Sequence, residues 1–410
     1  MAMKELRFSL DFNSPAFLSS TPKGTQAVQF WRQNVLESEQ SPYYPADPRG
    51  IRVPSLRGVL EFWHRALSGA SSPQETFQEQ ARIFGSADGG QGLTIRPAGM
   101  PRFKSEELCF ERDYSPYLYL GYGPLQLLRL PDRRQVVTSY HAKQARDAVC
   151  PDPSQRSRFR FVARGTPTQI DAIRRALTLL HLFGGLGSRS RRGWGSVEVE
   201  AKEEGITAPP ADSNPAEWIT QTLASIWNQG MYPASKGDPE FSALSRGIQI
   251  RVTRAIDGDY TKVLTELYRR FQAVRSYETG SVGVTDHTLE TKDLKLPSNQ
   301  SITAVPARLA FGMPYQPGHG WSMKYLGRVP GSGWKKDKVV TRRASPLLLK
   351  VIRLGPQKHA GVALFLPARF FGDSRLEIGE ETKNLTRPFP GYGAIDTFLS
   401  GSGWTQVPLP

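Results

Sequence analysis

The chain has 410 residues, 39% of them hydrophobic and 10% aromatic, with 53 Lys and Arg against 38 Asp and Glu for a formal net charge of +15. That length suits two domains, the hydrophobic fraction excludes a disordered chain, and the cationic excess favours polyanionic partners, nucleic acid ahead of an anionic membrane surface. No apolar run reaches the ~18 residues of a membrane span, and the start Met1-Ala2-Met3-Lys4-Glu5 lacks a secretory apolar stretch, which predicts a cytoplasmic chain with no membrane partner. Cys109 and Cys150 have neither CxxC spacing nor histidines beside them, so they read as ordinary thiols, with no metal site and no disulfide framework.

In chain order, Leu6–Phe12 alternates apolar and polar residues and reads as a half-buried first strand. Residues 14–50, rich in proline and glycine, read as a long extended loop. From 51 to 67, Leu56, Val59, Leu60, Trp63 and Leu67 recur at helical spacing. Pro54 suits the first turn of that helix, and Arg52 and Arg57 stand near its entrance, where N–H groups and two cations could hold a phosphate or else pair with acids. A second short helix ends in the glycine-rich turn around Asp88-Gly89, where one lone carboxylate makes a poor metal ligand. Strands are expected at 93–96, 118–120 and 159–162, and the cation-rich stretch 129–158 reads as a partly mobile excursion.

Thr166-Pro167-Thr168-Gln169 supplies a cap, a first-turn proline and a capping-box glutamine, and Ile170, Ile173, Leu177 and Leu180 give the following helix a buried stripe. That helix runs into Gly184-Gly185-Leu186-Gly187-Ser188-Arg189-Ser190-Arg191-Arg192-Gly193-Trp194-Gly195, which carries five glycines, three arginines and no acid. Glycines let backbone N–H groups approach closely, guanidinium forks grip phosphate oxygens, and the Trp194 indole offers a stacking face. The alternation at 197–200 then signals a strand.

The proline-rich stretch 201–215 marks a boundary, giving a first domain at 1–205, a linker with a bridging helix near 216–229 inside 206–245, and a second domain at 246–410. The second half opens with a strand at 248–254 and a helix at about 260–276, and later carries apolar strands at 347–352 and 361–366, so two related α+β units are expected. Between them, residues 325–343 set six cations against one acid around two aromatics, with Trp334, Lys335, Lys336, Arg342 and Arg343 fitting a surface that stacks bases without reading sequence.

Three stretches together resemble the RAMP superfamily of CRISPR effector subunits, in particular the first RAMP subunit of type III-B (Cmr) complexes. They are Ile51-Arg52-Val53-Pro54-Ser55-Leu56-Arg57-Gly58 running into Phe62-Trp63-His64-Arg65-Ala66-Leu67, then Ile83-Phe84-Gly85-Ser86, then the glycine-rich loop; Arg343-Ala344-Ser345-Pro346-Leu347 is similar to the family's second-half signature. The run Glu61-Phe62-Trp63-His64 departs from the pattern, with an acid where an arginine is expected. The resemblance implies two ferredoxin-like (RRM-like) domains with long loop insertions. It also implies a place at the end of a helical ribonucleoprotein that holds the 3′ portion of the guide RNA. Guide RNA and other RAMP subunits would be the partners, with target RNA a further candidate, Arg52, Arg57, Arg189, Arg191 and Arg192 on RNA phosphates and no cofactor.

Some RAMP relatives are endoribonucleases, so cleavage must be weighed. Metal-independent cleavage needs a base and an acid, often histidine, with cations on the phosphorane. The six histidines, at 64, 141, 181, 287, 319 and 359, are scattered. His181 lies nearest the glycine-rich loop, but its place beside Leu180 in an apolar helix favours a hydrogen-bonded structural histidine. No acidic cluster suggests a metal. The expectation is a non-catalytic RNA-binding subunit, with a guide-maturing endoribonuclease as the alternative.

Overall fold

The computed structural model describes residues 3–19, 21–32, 35–68, 72–86, 90–151, 158–227, 239, 242–245, 247–275, 307–312, 322–326, 328–329, 333–334, 344–368, 375–380, 383–387 and 391–410. In the first half, the principal elements are β1 (Lys4–Phe12), β2 (Thr25–Arg32), β3 (Val35–Tyr44), α1 (Val53–Leu67), α2 (Pro73–Phe84), β4 (Thr94–Pro97), α3 (Ser115–Gly121), β5 (Phe159–Gly165), α4 (Pro167–Phe183) and β6 (Val197–Glu200). α5 (Pro215–Trp227) leads to the second half, built on β7 (Gln249–Thr253), α6 (Tyr260–Arg275), β8 (Leu347–Gly355), β9 (Lys358–Phe365), α7 (Gly393–Ser400) and β10 (Trp404–Gln406).

The two halves repeat one topology. In the first, the sheet runs β6-β1-β5-β4, all antiparallel, with α1 and α2 between its first two strands in sequence and α4 between its last two. The principal strands of the second sheet run β10-β7-β9-β8, again antiparallel, with α6 and α7 at the equivalent places, and a two-residue strand, Ile256–Asp257, adds to β9 as a fifth. In both, the chain order of the four principal strands across the sheet is four, one, three, two. The second-half strands and helices expected from periodicity are present with bounds shifted by a few residues.

Local sequence explains the elements that matter most for the site. On β1, Leu6, Phe8, Leu10 and Phe12 are buried, and Phe8 stacks on Phe161 at 5.5 Å. The α4 capping box forms in full, with Thr166 N–H donating to Gln169 Oε1 at 2.9 Å and Gln169 N–H to Thr166 Oγ1 at 3.3 Å. Ile173, Ala176, Leu177 and Leu180 are fully enclosed along that helix. Each large aliphatic side chain buried this way contributes about 1.5–3 kcal/mol, so Leu177→Ala is the kind of change that would break the helix from the core.

Three stretches differ from the sequence expectations. Residues 25–44 form a long hairpin, paired from Thr25↔Pro42 to Arg32↔Val35. Its one proline, Pro42, pairs with Thr25 at the open end of the hairpin, where it costs no central ladder bond. Residues 129–151 are ordered strands (Gln135–Thr138, Tyr140–His141, Gln144–Arg146, Ala148–Cys150) that bury Val136, Val137, Ala145, Ala148 and Val149, while the cations between them point outward or pair. Residues 118–120 belong to helix α3, begun by Pro116 in its first turn. The expected turn at Asp88-Gly89, residues 152–157 of the basic excursion and residues 228–229 of the bridging helix lie outside the described residues.

The halves share their cores. One apolar cluster joins Leu10, Leu180 and Val197 to Ile250, Leu348, Ile352 and Val362; another joins Phe17, Leu120 and Trp194 to Leu264, Leu267, Phe271 and Val351. The glycine-rich loop lies at this seam.

Candidate nucleic-acid interface

The loop begins where α4 stops, with Gly184 N–H returning to Leu180 O at 2.9 Å. It is then stitched down by backbone bonds: Leu186 N–H to Gly195 O at 2.9 Å, Gly195 N–H to Pro15 O at 2.8 Å, and Ser188 N–H to Phe17 O at 3.3 Å. Gly185 faces Ser196 in an isolated bridge. A loop so bonded holds its side chains in fixed directions, and those directions divide it in two.

From Arg191 onward the loop faces the second half. Leu349 N–H of β8 donates to Arg191 O at 3.0 Å, the Arg191 guanidinium donates to Ser345 O at 2.7 Å, and its carbon lies 5.1 Å from the Phe62 ring centre. Arg192 lies 4.7 Å over the Phe271 ring of α6. Gly193 has φ +87°, and a Cβ there would stand 2.9 Å from Leu264 Cδ2, so both backbone and space call for glycine. Trp194 has no exposed surface; its ring meets Phe17 at 5.7 Å and Phe110 at 6.3 Å. The expectation that Trp194 offers a stacking face is therefore corrected: the indole is part of the protein core instead. Ser196 Oγ accepts from Val351 N–H and donates to Gly193 O, each at 2.9 Å.

A buried lysine completes this contact. Lys350, 2% exposed, reaches from β8 to donate to Leu180 O at 2.9 Å, His181 O at 2.5 Å and Val197 O at 2.6 Å. Desolvation drives its pKa well below the ordinary lysine value, with Glu198 acting in the opposite sense. Three carbonyl acceptors nonetheless match the three hydrogens of an ammonium, and two of them belong to the negative end of the α4 dipole. Beside it, Arg353 bridges Asp11 at 3.0 Å and Glu198 at 3.1 Å, joining β8 to β1 and β6.

The other part of the loop, Gly187 to Ser190, faces outward. Arg189 is exposed, holds a left-handed φ of 63°, and has its pKa lowered by desolvation, which Tyr122 opposes. Arg146 donates to Ser188 Oγ at 3.4 Å. Arg192 and the last residue of α6, Arg275, complete a cationic group with Arg189. Desolvation pushes the Arg192 pKa down to about 9, with Arg275 and Arg189 adding to the fall and Tyr119 opposing it, and the guanidinium keeps its proton at neutral pH. The ion pairs among the described residues involve none of Arg189, Arg192 and Arg275.

The remaining sequence-chosen residues do not join this group. Arg52 is exposed at the entrance of α1. Arg57 pairs with Glu61 at 2.8 Å, bonds Phe84 O and lies 5.7 Å from the Phe84 ring centre, so its charge is spent locally. The acid at 61 is thus Arg57's partner. Trp334 lies in a short strand paired with Arg328, its side chain outside the described set, and Lys335, Lys336, Arg342 and Arg343 lie outside the described residues.

His181 is 2% exposed and bonded at both nitrogens, Nδ1 accepting from Val199 N–H at 2.9 Å and Nε2 3.0 Å from Thr207 O, which assigns the proton to Nε2. Desolvation first, then Lys350, lowers its pKa to about 3. That ring is occupied as a structural link. Among the described residues no group of three or more His, Cys, Asp or Glu could hold a metal, Cys109 and Cys150 are free thiols, and no helix is long and apolar enough to cross a membrane.

Sequence reasoning missed Lys350, Tyr119, Tyr122 and Arg275. The lone charge in Leu347-Leu348-Leu349-Lys350-Val351-Ile352 was a signal for the first. The others sit at the ends of helices far apart in the chain, and only the fold brings them together.

A sequence profile of the RAMP superfamily matches residues 51–198, from the entrance of α1 into β6. No curated protein matches the chain. Among solved structures, the apo crystal structure of Cmr1 from Pyrococcus furiosus is similar at 16% sequence identity and a TM-score of 0.48, covering 99% of this chain and 99% of that one.

Proposed function

We propose that the chain is a RAMP-type, non-catalytic RNA-binding subunit of an RNA-guided type III-B CRISPR effector complex, placed at the end that holds the guide RNA 3′ portion. The observation that carries the reading is the meeting of the outward-facing Arg189 with Arg275, beside the inward-held charge of Arg192 and with no acidic partner for any of the three among the described residues, at the loop closing the stretch that matches the RAMP profile. Cations held together without acids repel one another, and a phosphate chain relieves that repulsion. The repeated four-one-three-two sheet order supports two ferredoxin-like units, and the sequence resemblance supports the type III-B assignment, with guide RNA and neighbouring RAMP subunits as partners. The sealed His181 ring leaves no base beside the loop at that position, in keeping with a binding role.

The test is binding of single-stranded RNA by the full chain across a salt series, with Arg189→Ala and Arg275→Ala. Affinity should fall for all sequences alike, and the salt slope should flatten by about 0.7 for each phosphate contact removed. Unchanged affinity and slope in both variants would overturn the reading.

A further inference from the structure

A cavity of about 540 Å³ lies beside the start of α6, well away from the basic group. Tyr260, the first residue of that helix, lines it, whereas Arg275 is the last, and a helix of 16 residues spans roughly 24 Å. Both halves build the walls: Asn13 and Glu198 come from the first, and Asp259, Arg353 and His359 from the second. Pro209, Leu354 and Pro356 add apolar surface. Arg353 stands at an irregularity in the pairing of β8 with β9, the kind of break that re-aims a side chain.

Acceptors predominate among the polar groups of these walls. Asn13 is 3% exposed; its Nδ2 donates to Val351 O at 3.3 Å, which fixes the orientation of the amide, and its Oδ1 is buried with no partner. A buried acceptor without a donor is costly. His359 is buried too, and its Nδ1 donates to Gly258 O at 2.8 Å, leaving Nε2 as the acceptor nitrogen. Desolvation holds the His359 pKa below the ordinary histidine value against the pull of that bond, so the ring stays neutral. Asp259 is exposed and accepts from Thr261 N–H through Oδ1 at 3.0 Å, which leaves a second carboxylate oxygen for another donor. On the donor side, Arg353 Nη2 is engaged by Asp11 at 3.0 Å and Glu198 at 3.1 Å, and Arg353 Nε is buried without a partner. The nearby lysines are committed elsewhere, Lys350 to its three carbonyls and Lys358 to Asp212 at 2.6 Å.

Water is the ordinary filling of a polar cavity, but a water molecule brings only two hydrogens and nothing for an apolar wall. An anion is disfavoured, because the carboxylates of Glu198 and Asp259 outnumber the guanidinium of Arg353 along the walls. A primary alkylammonium ion meets both conditions, with three hydrogens at its head and methylenes behind. We infer that the cavity is a binding site for a primary alkylammonium ion, its head taken up by Asn13 Oδ1, His359 Nε2 and the Asp259 carboxylate, and its methylenes lying against Pro209, Leu354 and Pro356. Such a head belongs equally to a free diamine and to a lysine side chain of another protein chain, and the two are told apart by the probe that binds. The site is independent of the RNA-binding reading above.

The experiment is a calorimetric titration of the full chain with 1,4-diaminobutane and with Nα-acetyl-lysine amide, against 1,4-butanediol and succinate as the neutral and anionic counterparts. At least one of the two amines should bind saturably at one site, and the diol and succinate should not. Asn13→Leu should weaken the amine by about tenfold and Asp259→Asn by about threefold, the latter with α6 still capped because asparagine caps as well as aspartate. Melting curves report whether each variant is folded; Asp259 is exposed, so its variant carries the test should Asn13→Leu fail to fold. Arg189→Ala should bind the amine like the parent, which separates this cavity from the basic group. Amines that bind no better than the diol, or an amine affinity unchanged in Asp259→Asn and in a folded Asn13→Leu, would overturn the site.

Discussion

Arg189 and Arg192 are three residues apart in one basic loop, yet they do opposite work. Arg189 is exposed with its guanidinium against the Gly123 turn, whereas Arg192 lies over Phe271 and its neighbour Arg191 is tied to Ser345 of the second half. The outward turn at 187–190 presents charge, and the inward limb at 191–196 clasps two sheets together. Glycine and arginine composition is the same for both uses. What separates them is whether an aromatic ring and a carbonyl from another part of the chain reach the guanidinium first.

The comparison breaks most readily at the clasp. Trp194→Ala should lower unfolding free energy by about 3–5 kcal/mol in urea, since it empties a fully enclosed site shared by both halves; a loss no larger than that of an exposed residue would contradict the clasp. Lys350→Met should cost less, about 1–3 kcal/mol, because the cost of burying the ammonium is relieved while three carbonyls lose their donor. Equal stability would mean that those two terms cancel and that Lys350 adds nothing to the seam.

Acidification sharpens the same contrast. Burial lowers the pKa of His181 to about 3 and of His64 and His141 to about 4, all below the unfolded value of 6.5. The unfolded chain therefore binds protons that the fold refuses. Their contribution is complete above about pH 6.5 and is lost as pH falls below it, by at most about 1.4 kcal/mol per pH unit per histidine. Urea midpoints from pH 7.5 down to 5.5 should show this fall, and Arg189→Ala should follow the parent curve because Arg189 takes no part in the buried framework. A flat curve would contradict the buried neutral histidines.

Much of this fold can be read from local sequence. The α4 capping box, the alternation in β1 and the helical stripe of α1 are local signals, and the structure carries each. The hairpin at 25–44 was obscured because the prolines at and beside its open end read as loop and its strands carry no strong apolar alternation. At the site, local sequence points to the loop but not to the division within it. The partners of Trp194, Arg191 and Arg192 are Phe17, Ser345 and Phe271, and their distance along the chain leaves no local trace. For the same reason Arg57 looks like a phosphate ligand in sequence and is a partner of Glu61 and Phe84 in space.

The most direct test sets RNA affinity against stability in Arg189→Ala. The outward turn should lose about fivefold or more in single-strand affinity at low salt, with unfolding free energy unchanged within about 0.5 kcal/mol. Affinity equal to the parent's, or a loss of stability in step with the loss of binding, would contradict the division of the loop into a presented turn and a buried clasp.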